Sequence, residues 1–261
     1  MSRPIALVTG ASSGIGEAIA HIMAEQGEDL LLVARSAGEL ERVQAAIIAA
    51  TGRSVAILPL DLERHDAALL IEQALQRQDL SVRHLVNNAG FGLAGDMADL
   101  PVAGQLGMVD LNCRAVLALC LAFLPQIRAN EGGILNVASV AGFTPGPGLA
   151  VYYATKAFVL SLTRALAFEE KGSGIKICAL CPGPVPTKFG ERAGFGGSRA
   201  IALIKPLSAH QVAHLGLAGY FGGRSVVLPG IVARLMVAIL SLVPTRFVLP
   251  VLARAQRGRR T

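Results

Sequence analysis

Residues 5–27, IALVTGASSGIGEAIAHIMAEQG, decide the fold. A short β-type run, Ile5 to Val8, meets Thr9-Gly10, then Gly14 and Gly16, and then a stretch of helical character. Strand, glycine turn and helix in that order are what a nucleotide site needs. Gly10 permits a tight turn, and the missing Cβ atoms at Gly14 and Gly16 let a pyrophosphate approach the backbone. The following helix N-terminus offers unpaired N–H groups and positive potential to phosphates. Any strand-to-helix turn favours glycine, so the placement of the pattern carries more weight than its composition.

The same alternation continues along the chain. Strand-like runs fall at 5–8, 30–34, 55–60, 85–88, 134–139, 175–181 and 225–228, and helical stretches near 15–26, 38–50, 65–78, 104–129, 150–171, 208–220 and 231–243. Several strands are apolar at successive positions, as expected where both sheet faces are covered. The pattern predicts one α/β domain, a doubly wound parallel sheet of about seven strands with helices on both faces. At 261 residues and 27.1 kDa the chain fits one such domain. Residues 1–230 are expected to form it, with 187–207, containing GERAGFGGSRA, as a substrate lid, and 231–261 as an extension without a fold of its own.

Charge is unevenly spread. Residues 1–191 carry 14 Lys/Arg and 18 Asp/Glu, whereas 192–261 carry 10 Lys/Arg and no acid. The latter section also contains GIVARLMVAILSLVPTRFVLPVLA. Basic and apolar together point to a membrane surface or a lipid-like substrate rather than nucleic acid. The stretch 231–243 is about 20 Å long as a helix against a hydrocarbon core of about 30 Å, so it does not span. It docks either into the core or another subunit, or against a membrane periphery, and Pro244, Arg246 and Pro250 are expected to break the helix beyond it. An N-terminus entering strand one at once leaves no room for a signal peptide, and the expected location is cytoplasmic. Four cysteines do not suggest a disulfide framework; Cys178 and Cys181 lie three apart on a strand, facing opposite ways. No metal site is expected at His210 and His214, because no carboxylate follows Glu191.

In such a sheet, ligands bind at the carboxyl ends of the strands near a topological switch point. Arg35, Asp61, Asn87-Asn88-Ala89-Gly90, Ser139 and Pro182-Gly183 fall at five such ends. Asp61 serves equally well as a helix cap, and Asn112 as a partner for backbone groups. Tyr152 precedes Lys156 by four residues, one helix face apart, with Ser139 thirteen residues upstream of Tyr152. The ammonium and the positive end of a helix starting near Gly148 are expected to pull the phenol below its ordinary value of about 10. A phenol so tuned is a general acid–base.

Together TGASSGIG at 9–16, Asp61-Leu62, NNAG at 87–90, Asn112, Ser139, Tyr152/Lys156 and PGPVPT at 182–187 resemble the short-chain dehydrogenase/reductase superfamily over residues 4 to about 230. The resemblance implies a Rossmann-like fold. It makes Tyr152 the acid–base, Lys156 the group that tunes it and holds the nicotinamide ribose, Ser139 the substrate-positioning hydroxyl and Asn112 part of a proton relay. It assigns Gly10, Ser12, Ser13, Gly14, Ile15, Gly16, Asp61, Leu62, Asn88, Ala89 and Gly90 to the cofactor. Pro182, Gly183, Val185 and Thr187 join them beside the nicotinamide. It also implies a homodimer or homotetramer, the apolar helices 104–129 and 150–171 pairing between subunits.

Arg35-Ser36 stands where an acid would bind the ribose 2′-OH of NAD; Arg accommodates a 2′-phosphate, so NADP(H) is preferred over NAD(H). Position 13 is Ser, where many NADP-preferring relatives carry a second basic residue. The expected activity is reduction of a hydrophobic ketone, acyl, steroid-like or otherwise lipid-like, to a secondary alcohol. The alternatives are an NADPH-binding sensor or scaffold without turnover, and a sugar-nucleotide epimerase or dehydratase.

Overall fold

The computed structural model of the protein describes residues 2–186 and 206–257, so Thr187 and nearly all of the expected lid lie outside the described residues. Seven strands form one parallel sheet: β1 (Arg3–Thr9), β2 (Leu30–Ala34), β3 (Val55–Pro59), β4 (Leu80–Asn87), β5 (Gly133–Val137), β6 (Lys176–Leu180) and β7 (Val226–Val227). Their spatial order is β3-β2-β1-β4-β5-β6-β7.

Helices α1 (Gly14–Glu25), α2 (Ala37–Thr51) and α7 (Ala209–Phe221) cover one face. The other takes α3 (Ala67–Arg77), α5 (Val116–Ala129) and α6 (Ala150–Glu169). Successive residues of one strand serve different cores: Ala6 and Val8 join α1, while Ile5 and Leu7 join α3 and α5. That is why the strands read as unbroken apolar runs. Cys178 and Cys181 likewise point into opposite cores.

Two helical expectations change. The stretch expected as one helix over 104–129 is α4 (Val102–Val109), a π-helical turn (Asp110–Ala115) and α5. One extra residue in a turn rotates the side chains after it, and here Asn112 is driven to 1% exposure. Beyond α8 (Ile231–Leu242), the prolines do not interrupt: α9 (Thr245–Arg257) forms across Pro250. Arg246 and Pro250 are both exposed, so the carbonyl left without an N–H partner faces solvent. Of α8, Ala233 and Val237 are buried, whereas Ile231 and Leu242 stand 71% and 85% exposed.

Candidate active site

Because all seven strands are parallel, the segments after β2, β3, β4, β5 and β6 emerge at one edge, and strand order reverses between β1 and β4. The candidate residues gather along that reversal.

Gly10 holds φ at 63°, and a Cβ there would stand 2.8 Å from both Ala89 Cα and Asn88 Nδ2. Asn88 Nδ2 donates to the carbonyls of Thr9 (3.0 Å) and Gly10 (3.1 Å), and Thr9 Oγ1 accepts the N–H groups of Asn88 and Ala89. The Asn88 side chain is therefore a clasp on the glycine turn. The missing Cβ of Gly16 makes room for Asn88 Nδ2 and Gly10 O rather than for a ligand, so its role is packing. Ser13 precedes α1 in extended conformation and makes no side-chain capping bond. The first-turn N–H groups are thus left to the turn holding Ser12, Gly14 and Ile15, a donor set that fits a pyrophosphate.

Arg35 follows β2 with its side chain 65% exposed, Nη1 lying 3.8 Å from Glu63 Oε1. Burial and the neighbouring Asp61 hold Glu63 above the ordinary carboxylate range, against the pull of Arg35. Asp61 does not cap α3, whose cap position is Asp66; its Oδ1 accepts Glu63 N at 3.0 Å, with Leu62 buried beside it. Ser36 is exposed at the start of α2. The sequence reading missed Arg42. It bonds Glu17 Oε1 (2.8 Å) and Glu39 Oε2 (3.0 Å), and its Nη2 donates to the Ser12 carbonyl at 3.4 Å. A basic group thus reaches the glycine turn from α2 instead of from position 13. The seven-residue spacing from Arg35 was the available signal, since it places Arg42 two turns along the same helix.

On the other side of the switch, Ser139 Oγ accepts Ala141 N (3.1 Å) at the start of a 3₁₀ turn (Val140–Phe143) and hydrogen-bonds the Tyr152 phenol. Pro182 O accepts Val140 N at 3.0 Å, which ties the segment bearing Gly183 and Val185 to Ser139. Asn112 Nδ2 donates to Phe91 O (2.9 Å) and Thr155 Oγ1 (3.0 Å), while its Oδ1 accepts Phe91 N (3.1 Å). Asn112 thus holds the backbone just after Gly90, where an added Cβ would lie 3.6 Å from Lys156 Nζ.

The expected electrostatics of the pair are overturned. Burial pushes the Tyr152 phenol up to about 12, the Ser139 hydrogen bond pulling only weakly the other way. Burial also brings Lys156 down to about 8. Lys156 Nζ lies 5.9 Å from the Tyr152 ring centroid and donates to Val137 O at 2.8 Å. The helix spacing does put the two on one face, yet desolvation of both groups outweighs their mutual effect. Tyr152, 8% exposed, sits among Met108, Leu149, Phe91, Leu93 and Tyr153.

The comparisons agree with this geometry. The family model for short chain dehydrogenases matches residues 4–194. An uncharacterized oxidoreductase of Staphylococcus epidermidis is 34% identical over 197 residues, 75% of this chain and 84% of that protein. A short-chain dehydrogenase from Sphingobium yanoikuyae in complex with NADPH superposes with a TM-score of 0.80 at 32% identity, covering 92% of this chain and 96% of that one. The bulky-bulky ketone specific alcohol dehydrogenase from Comamonas testosteroni gives 0.75 at 27% identity, covering 94% and 96%. With the motifs in order along one strand edge, the chain belongs to the short-chain dehydrogenase family of oxidoreductases.

Proposed function

We propose that the protein is an NADP(H)-dependent reductase of bulky apolar ketones. The observation that carries this reading is the Ser139–Tyr152 pair inside an apolar cluster, its phenol held protonated up to about 12. A group in that state is ready to give a proton to a carbonyl oxygen, which suits reduction. Ser139 and Tyr152 would both donate to that oxygen as charge develops on it. A bound NADPH would supply the hydride. Gly10, Ser12, Gly14 and Ile15 would receive its pyrophosphate, Arg35 and Arg42 its 2′-phosphate, and Lys156 its ribose near Tyr152. At 8% exposure the phenol admits a bulky ketone only when neighbouring apolar side chains move aside. The apolar groove of Leu117, Leu121, Leu124, Leu162 and Leu166 between α5 and α6 would pair two copies. The stretch 102–129 has the length and hydropathy of a membrane span, but half of it is buried within the domain.

NADPH oxidation over a panel of ketones tests the reading. Bulky apolar ketones should exceed small polar ones by about 10-fold or more in kcat/KM, as a desolvated pocket discriminates by ~1–3 kcal/mol per group. Equal rates, or faster turnover of sugars, would remove the substrate assignment. A second expectation comes from Lys156. Its charge is present below about 8 and lost as pH rises through that value, while Tyr152 keeps its proton to about 12. The reductive rate should therefore be level on the acid side and fall above pH about 8. In Lys156→Arg the fall should disappear, since Arg stays charged; a fall of unchanged position would assign it elsewhere.

A further inference from the structure

We propose that α8 and α9 dock the protein on an anionic lipid surface. On α8, Ile231, Leu235, Ile239 and Leu242 follow one another at helical spacing and are 71%, 58%, 60% and 85% exposed. On α9, Phe247 and Val251 are exposed at 56% and 62%. An apolar face this continuous is larger than the scattered exposed residues of an ordinary surface, and it marks an interaction site.

Charge decides the occupant. Residues 192–261 hold ten basic and no acidic residues. Arg246 and Arg254 flank the apolar residues of α9, the Arg246 guanidinium standing 4.8 Å from the Phe247 ring centroid. Two copies meeting through this face would bring like charges together, whereas anionic headgroups complement them. Residues 1–191 are net acidic, which repels that part of the molecule from the same surface and turns the C-terminal helices towards it. At about 18 Å, α8 is too short to cross a hydrocarbon core of about 30 Å and would lie in the interface.

The placement also bears on the substrate, a step that rests on the reductase reading. α8 packs against the 3₁₀ turn Val140–Phe143, which begins at Ser139. Docking therefore sets the bilayer beside the catalytic edge, so that a membrane-dissolved ketone reaches Tyr152 without crossing water.

Sedimentation of the full chain with phosphatidylcholine vesicles, with and without phosphatidylglycerol, tests the docking. The parent should bind the anionic vesicles at least ~10-fold more tightly than the neutral ones. Leu235→Asp/Ile239→Asp should weaken that binding at least ~10-fold, and Arg246→Glu/Arg254→Glu should abolish the preference for anionic lipid. Both variants should retain the parent's circular dichroism and its turnover of a water-soluble ketone. The proposal is overturned if the parent stays in the supernatant, or if both variants sediment as it does. It is also overturned if Leu235→Asp/Ile239→Asp instead splits an assembly into smaller species while the parent ignores vesicles, because the face then joins copies of the chain. Vesicle binding without turnover of any lipid-borne ketone would count against the reductase reading alone.

Discussion

Tyr152→Phe should lower kcat for ketone reduction by about 10³-fold, with the Kd for NADPH moving less than ~10-fold. The substitution removes one oxygen from a side chain that is otherwise packed among apolar neighbours. That oxygen is the donor placed to protonate the product alkoxide, and it is one of two groups poised to stabilise the developing charge. The ring keeps its contacts, and Ser139 keeps Ala141 N as a partner, so stability should fall by only about 1 kcal/mol. Rate and stability are thus separable in this variant. Stopped-flow NADPH oxidation beside a denaturant titration reads both. A residual rate within about tenfold of the parent would mean that another group supplies the proton. Tyr153, whose ring centroid is 6.2 Å from that of Tyr152, is the natural suspect and the control to make.

Much of this architecture is visible from the residues because its causes are local. Unbroken apolar runs at Leu30–Ala34 and Val55–Pro59 report coverage on both faces, and Gly10 reports a backbone conformation that costs other residues strain. Motif spacing likewise predicts that Tyr152 and Ser139 meet, and they do. What escaped depends on surroundings that spacing does not carry. The proton affinity of Tyr152 is set by how completely Met108, Leu149 and their neighbours exclude water, and that desolvation reverses the expected direction. The π-helical turn at Asp110–Ala115 leaves the composition of a helix unchanged while rotating Asn112 inward. Pro250 reads as a breaker, yet it sits on an exposed side of α9. Arg42 reads as one more surface arginine until α2 is laid against α1 and its guanidinium meets Ser12.

Cofactor choice gives the second large effect, because two arginines share the task. Arg35→Asp should lower kcat/KM for NADPH by about 100-fold or more, since it removes a charged hydrogen bond of ~1.5–3 kcal/mol and adds repulsion. With NADH the same variant should hold or gain, because an acid at this position suits a ribose 2′-OH. Arg42→Ala should cost about 10-fold with NADPH, chiefly through KM. In the structure each arginine already faces carboxylates, Arg35 facing Glu63 and Arg42 facing Glu17 and Glu39. These pairs are largely solvent-exposed and contribute roughly 0–1 kcal/mol, so a phosphate can displace them at small cost. Glu63 is held above the usual carboxylate range and gives up its arginine the more readily. Arg42 also ties α2 to the Ser12 carbonyl, which offers a purely structural explanation for any loss. The two roles part in the comparison of cofactors. Loss of phosphate binding penalises NADPH alone, whereas loosening of the glycine turn penalises NADPH and NADH equally. An Arg42→Ala variant with matching losses for both would return Arg42 to the scaffold and leave Arg35 as the sole reader of the 2′-phosphate.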